Sequence, residues 1–271
     1  MKKPEMKIVG VIPARYASSR FPGKPIADIC GKPMIWWVFQ QAKKAESLSE
    51  VYVATDDKRI EDVCVCYNIP VIMTSQSCKN GTERVAETAL KISADIYVNI
   101  QGDEPILEPS VIQTAVNIML DNNTVKCATL KMKLQHPVDV VNGTITKVVN
   151  DRNGNVLFLS RSPIPYPKAS INYDYYKHIG LYAYTFDILK EYSMPIGELE
   201  QAEDIEILRL LENGVKIQVK EVVSNSIAVD TEKDLERVCE YIRSYIIPPH
   251  VILRINRIYF LQSFSKRRVV A

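Results

Sequence analysis

Through its first 120 residues the chain alternates short apolar runs with segments of helical period, and this order limits the folds open to it. Residues 7–13 (KIVGVIP) read as a buried strand, and residues 50–54, 71–74 and 96–100 as three more. Between them, residues 34–45 place Ile35, Val38 and Ala42 on one helical stripe, and residues 60–67, 82–92 and 111–120 read as further helices. Strand–helix–strand crossovers put helices on both faces of a sheet, so the expectation is an α/β chain with a mostly parallel sheet flanked by helices.

From residue 126 the pattern changes to strands and turns. Residues 127–131, 146–149 and 156–159 read as strands, with an Asn153-Gly154 turn, which predicts a smaller antiparallel lobe or sheet extension. A strand at 179–184, a helix at 203–212 stopped by Asn213-Gly214, a strand at 215–219 and a helix at 231–245 follow. This reads as one α/β unit over residues 1–245, with halves at about 7–125 and 126–245, and a separate tail at 246–271.

The composition, 46% apolar and 24% charged, excludes a disordered or fibrous chain. Formal charge is +2, yet the tail carries Arg254, Arg257, Lys266, Arg267 and Arg268 without one acidic residue, leaving residues 1–245 at −3. The body therefore has no basic footprint for nucleic acid. Six scattered cysteines form no CxxC pair or metal-ligand cluster, and the N-terminus is too polar for a signal peptide. The expectation is a reduced, cytoplasmic protein. The tail mixes an apolar stretch with a basic end. It reads as a poorly ordered, dispensable appendage, with a membrane-surface segment as the alternative.

Three segments carry chemistry. Residues 13–25 (PARYASSRFPGKP) follow the first strand, at the sheet edge where α/β proteins bind ligands. Arg15, Arg20 and Lys24, spaced by small residues, offer charge and backbone N–H groups to phosphate; a solvated basic loop is the alternative. No GxxxxGK[ST] or GxGxxG is present. Next, Gly102-Asp103 ends the fourth strand at the same edge, where a carboxylate suits magnesium but equally a turn cap. Asp230 is a second such carboxylate, although Asp230-Thr-Glu-Lys-Asp234 also reads as an ordinary helix cap. Last, Asn80-Gly-Thr-Glu-Arg84 opens a helix and brings backbone and a guanidinium toward a base or phosphate, or simply caps that helix.

Taken together, VIPARYASSRFPGKP, NGTERVAE, VNIQGDEPIL, LSRSPIPYPK, YKHIGLYAY, LEQAEDIEILRLLENG and VDTEKDLERV give a chain that resembles the 3-deoxy-manno-octulosonate cytidylyltransferase (CMP-Kdo synthetase) family from about residue 7 to residue 245. The resemblance implies a Rossmann-like nucleotidyltransferase fold, a homodimer, and magnesium-dependent activation of a keto-sugar acid, most simply Kdo, with CTP for lipopolysaccharide or capsule synthesis. It implies that Pro13, Ala14, Arg15 and Lys24 hold the nucleotide with Arg20 ordering the loop or touching the triphosphate. Asn80, in place of the usual Ser, would line the cytidine pocket with Gly81, Thr82 and Arg84. Asp103 and Asp230 would carry magnesium. Gln101, Arg161, His178, Tyr182 and Glu206 would line the sugar pocket, with Arg161 on the substrate carboxylate. The Tyr-rich stretch 171–184 is where an interface is expected.

Two departures from the family pattern bear on the sugar. Ile207 stands where a sugar-contacting Gln is expected, and Lys168 replaces an Arg. If the pocket follows the family, Glu206 and Ile207 lie on the helix face turned towards the sugar, and Ile207 would remove hydrogen bonds to a hydroxylated sugar, which opens 8-amino Kdo or a sialic-acid-like sugar as alternatives. A non-catalytic nucleotide-binding relative is a further alternative, and a sugar-1-phosphate enzyme is disfavoured because its Gly-rich start is absent. Lys24 is expected to be exposed before ligand binds, so that its loss leaves stability nearly unchanged.

Overall fold

The computed structural model describes residues 6–17, 21–169, 172–192 and 194–246. Arg20 and residues 247–271 of the tail lie outside them. The first strand, β1 (Ile8–Ala14), is buried on both faces. Ile8 and Ile12 pack into one core cluster while Val9 and Val11 pack into another, the period-two alternation of a strand covered twice. A short hairpin, β2 (Asp28–Ile29) and β3 (Lys32–Pro33), leads into α1 (Met34–Lys43). Then β4 (Glu50–Thr55), α2 (Lys58–Cys66), β5 (Val71–Met73), α3 (Gly81–Lys91), β6 (Ile96–Asn99) and α4 (Pro109–Asp121) complete the strand–helix alternation read from the sequence.

The second half is less separate than the sequence pattern suggests. It comprises β7 (Cys127–Lys133), α5 (Pro137–Val141), β8 (Lys147–Asn150), β9 (Val156–Ser160), β10 (Tyr176–Thr185), α6 (Phe186–Glu191), α7 (Glu198–Glu203), α8 (Leu208–Glu212), β11 (Gln218–Glu221) and α9 (Glu232–Tyr241). The main sheet runs β11-β7-β10-β6-β1-β4-β5. The β1–β4, β1–β6, β4–β5 and β7–β11 pairs are parallel, and β10 runs antiparallel to both β6 and β7. Thus β7 and β11 extend the parallel set, with β10 as the reversed strand, and the antiparallel lobe reduces to β8 and β9 hanging from β10.

One core face packs Ile35, Val38, Ile60 and Ile112 of the helices onto the sheet, and the other packs Val85, Leu189 and Leu210. A third cluster of Ile29, Trp37, Val229, Val238 and Ile242 ties α9 to the β2–β3 hairpin, where the Trp37 indole N–H donates to the Ile29 carbonyl at 2.8 Å. Helix α9 thereby delivers the chain just before it to the same sheet edge as the loop after β1. Among the described residues no helix is long and apolar enough to cross a membrane.

The expected helix at 203–212 is corrected. The chain breaks at Asp204, which sits in the left-handed region at φ 51°, and the helix restarts only at Leu208. Asp enters the left-handed region more readily than most residues other than glycine.

Candidate active site

A cleft of about 670 Å³ opens at the ends of β1, β6 and β10. Its floor requires close backbone contact: a Cβ on Gly102 would lie 2.8 Å from the Pro13 carbonyl oxygen, so only glycine lets the end of β6 meet the end of β1. Pro13, Ala14 and Arg15 line the cleft from β1 and its following loop, with Arg15 exposed. The loop returns through Gly23, at φ +73°, whose N–H donates to the Tyr16 carbonyl at 3.0 Å and starts the turn Lys24–Ile26.

That turn aims Lys24 inward. Its Nζ donates to Asp103 Oδ2 at 2.7 Å and to Asp230 Oδ1 at 3.3 Å. The two acidic segments are also joined through the backbone, because the Val229 N–H donates to the Asp103 carbonyl at 2.9 Å. Both readings of the 230–234 segment hold, on different residues. Thr231 and Asp234 form a capping box for α9, which leaves the Asp230 carboxylate to meet Lys24. The expectation that Lys24 is exposed before ligand binds is corrected: its side chain is 15% exposed and bridges two carboxylates. Two hard carboxylates gathered round one cation are a donor set suited to magnesium, which takes one or two protein carboxylates and completes its shell with water and phosphate oxygens. Among the described residues no group of three or more His, Cys, Asp or Glu residues is placed to hold a metal.

The second wall is the start of α3. Asn80 keeps the capping role that a Ser would have, its Oδ1 accepting from the Glu83 N–H at 2.9 Å. Gly81 lines the cleft beside it. Thr82 is fully buried, its hydroxyl 3.1 Å from the Tyr184 hydroxyl and its N–H donating to Glu206 Oε2 at 3.2 Å. Burial pushes the Glu206 carboxyl upward, and the Thr82 N–H opposes that shift. Arg84 lines the cleft but is 4% exposed, donating to Thr74 Oγ1 at 2.5 Å and pairing with Asp56 at 3.4 Å.

The third wall is β10. Gln101 Nε2 donates to the Gly180 carbonyl at 2.7 Å, fixing the amide against the strand. His178 Nε2 lies 2.9 Å from Thr129 Oγ1, which also lies 2.9 Å from the Leu181 carbonyl. A hydroxyl has one proton and a carbonyl only accepts, so Thr129 donates to Leu181 and accepts from His178. Nε2 therefore carries the ring proton and Nδ1 is the acceptor. Burial pushes the His178 pKa down to about 3, and its ring lies 5.3 Å from that of Tyr182. Burial likewise raises the Tyr182 phenol well above its ordinary value.

Two of the expected pocket positions fall elsewhere. Arg161 is not among the cleft residues: it donates to the carbonyls of Glu203 (2.6 Å), Asp204 (3.0 Å) and Gly143 (3.2 Å), clasping the break between α7 and α8. Ile207 is fully buried in the core beside Leu208 and Leu210. The break at Asp204 explains this, since it turns Glu206 to the cleft and Ile207 away from it. Lys168 also lies outside the cleft lining.

A family model for cytidylyltransferases matches residues 9–217. The 3-deoxy-manno-octulosonate cytidylyltransferase of Geobacter sulfurreducens is 44% identical over 250 residues, covering 88% of this chain and 100% of that one. The chain belongs to the 3-deoxy-manno-octulosonate cytidylyltransferase family. Its relative of the same name from Fusobacterium nucleatum is 45% identical over 240 residues, covering 88% of this chain and 98% of the relative. The solved structure of CMP:2-keto-3-deoxy-manno-octonic acid synthetase complexed with CTP matches with a TM-score of 0.85 at 41% identity, over 89% of this chain and 100% of that one.

This family member also holds its walls together through groups that motif reading passed over. Arg209, 2% exposed, binds Glu200 bidentately at 2.6 and 2.8 Å and reaches Glu83 at 3.2 Å, joining α8 and α7 to α3. Lys147 is fully buried and donates to the carbonyls of Asn142 (3.0 Å), Ile145 (2.7 Å) and Arg161, shaping the 144–146 stretch of the cleft. Their only signal in the sequence is a cation in an otherwise apolar neighbourhood.

Proposed function

We propose that this chain transfers the cytidylyl group of CTP to a keto-sugar acid, Kdo, with release of pyrophosphate. The observation that carries the reading is Lys24 held between Asp103 and Asp230 at the end of a cleft whose other walls are the Asn80–Arg84 segment and β10. The relatives' names and the CTP complex of the solved neighbour support the choice of nucleotide and sugar acid.

Cytidylyl transfer needs little covalent chemistry from the protein, so positioning and charge neutralisation dominate. The sugar's anomeric oxygen attacks the α-phosphorus, the bond to the β-phosphate oxygen breaks, and the hydroxyl proton passes to solvent. Arg15 and Lys24 neutralise the leaving pyrophosphate, while Pro13, Ala14 and the Asn80–Arg84 segment hold the nucleoside. Gln101, His178, Tyr182 and Glu206 line the acceptor's side. His178, neutral and with Nδ1 free of its proton, orients a hydroxyl as a hydrogen-bond acceptor. Asp103 and Asp230 would hold magnesium, which supplies Lewis-acid polarisation of phosphate oxygens when bound. A homodimer through the 171–184 stretch is part of the proposal: Tyr173 is exposed and meets Tyr175 edge-on at 5.3 Å, though Ile171 lies outside the described residues. Light scattering would return a dimer mass, and a monomer would remove that element.

Ile207 in the core carries no argument for another sugar. The deciding experiment incubates the protein with each nucleoside triphosphate and a panel of keto-sugar acids, reading pyrophosphate. CTP with Kdo should release it fastest. Equal release with other pairs, or none, would overturn the reading.

A further inference from the structure

Five cationic side chains line the cleft among the described residues: Arg15, Lys24, Lys79, Arg84 and Lys177. Arg15 and Lys79 are exposed. Lys24 is spent on Asp103 and Asp230, and Arg84 on Asp56 and Thr74. Lys177, half-buried on β10 next to His178, differs from all four. Its ammonium makes no hydrogen bond or ion pair among the described residues. The buried Glu104 carboxyl, which accepts from Ser226 Oγ at 2.7 Å, attracts it across the cleft without bonding to it.

A half-buried ammonium that makes no hydrogen bond carries a desolvation cost that an anionic ligand would relieve. The substrates proposed above bring two anionic groups, a triphosphate and a carboxylate. Lys24 and Arg15 already stand at the β1 loop for the triphosphate. Lys177 stands on the strand that presents His178 and Gly180, the latter bonded to Gln101. Arg161 does not line the cleft and has its guanidinium occupied by three backbone carbonyls. We infer that Lys177 binds the carboxylate of the sugar acid and so selects an acid over a neutral sugar. This inference rests on the proposed transfer to a keto-sugar acid.

The test compares wild type, Lys177→Gln and Lys177→Arg on Kdo and on its carboxamide, which lacks only the charge. Lys177→Gln should raise KM for Kdo about 10- to 100-fold, the range for a lost charge-assisted hydrogen bond, with KM for CTP within about twofold. The wild-type preference for acid over amide should collapse in Lys177→Gln and largely persist in Lys177→Arg. Should Lys177→Gln fail to fold, Lys177→Met keeps the aliphatic stem and carries the same expectation. An unchanged KM for Kdo, an unchanged acid-to-amide ratio, or a rise confined to CTP would each overturn the assignment while leaving the transfer reading intact. A wild type that releases no pyrophosphate with any keto-sugar acid would remove both.

Discussion

Replacing Lys24 with Met keeps the stem and deletes the charge, so it isolates what the ammonium does between Asp103 and Asp230. The side chains of Lys24, Asp103 and Asp230 are 15, 27 and 40% exposed, between the fully buried and fully solvated cases. Breaking a buried pair costs roughly 3–5 kcal/mol and an exposed one about 0–1 kcal/mol. The intermediate exposure places this loss at about 2 kcal/mol, most of it from the 2.7 Å contact with Asp103. For a domain of this size about 1 kcal/mol moves Tm by roughly 2–4 °C, so Lys24→Met should melt ~4–8 °C lower in metal-free buffer. The two carboxylates, still tied through the Val229–Asp103 backbone bond, then lack the ammonium that bridges them. Millimolar magnesium should therefore raise the Tm of the variant more than that of wild type. Turnover should fall in parallel, because the phosphate contact is lost as well. Scanning calorimetry with and without magnesium reads both effects. A fall of less than about 1 °C, or an equal response to the metal, would refute the view that Lys24 holds the carboxylate pair.

Ile207→Gln places an amide in a fully buried site among Leu208 and Leu210, and should destabilise by roughly 2–4 kcal/mol. The ratio of specificity constants for Kdo and 8-amino Kdo should stay unchanged; a changed ratio at unaltered stability would return Ile207 to the pocket. Arg209→Met leaves Glu200 buried and uncompensated, for a loss of roughly 3–5 kcal/mol by denaturant melt, and Arg209→Lys should rescue little because it cannot restore the bidentate pair. For His178, the unfolded ring titrates near 6.5 and the folded ring only at about 3. The unfolded state therefore binds the extra proton in between, and stability is full above about pH 6.5 and drains as pH falls toward 3. His178→Gln should flatten that slope, and a ring found by NMR to titrate near 6.5 in the folded protein would contradict the burial argument.

The strand and helix order was legible because both periods are strong: β1 alternates its two faces residue by residue, and Asn80 and Thr231 cap the helices they precede. The gathering of Lys24, Asp103 and Asp230 was legible as chemistry, each at the end of an apolar run, but not as a contact. What the residues could not reveal is which charges the fold consumes. Arg161 and Lys177 lie in motifs of equal weight. Only the backbone carbonyls of Gly143, Glu203 and Asp204, brought together by tertiary structure, distinguish a spent cation from an open one.

The break at Asp204 shows the same limit at the level of the backbone. The stretch LEQAEDIEILRLLENG has no glycine or proline before its last residue, and its apolar spacing suits one helix. The family pattern puts a sugar-contacting Gln at position 207, and an unbroken helix would keep Ile207 beside Glu206. A single left-handed residue uncouples them. Glu206 then reaches the Thr82 N–H, Ile207 enters the core, and Arg209 extends from the restarted helix to Glu83 on the same first turn of α3. Both contacts converge on the segment expected to hold cytidine, and both originate in the segment proposed to border the sugar. The walls proposed for nucleotide and acceptor are thus fixed to each other by a local conformation that sequence periodicity does not encode, and that an Asp can adopt without announcing it.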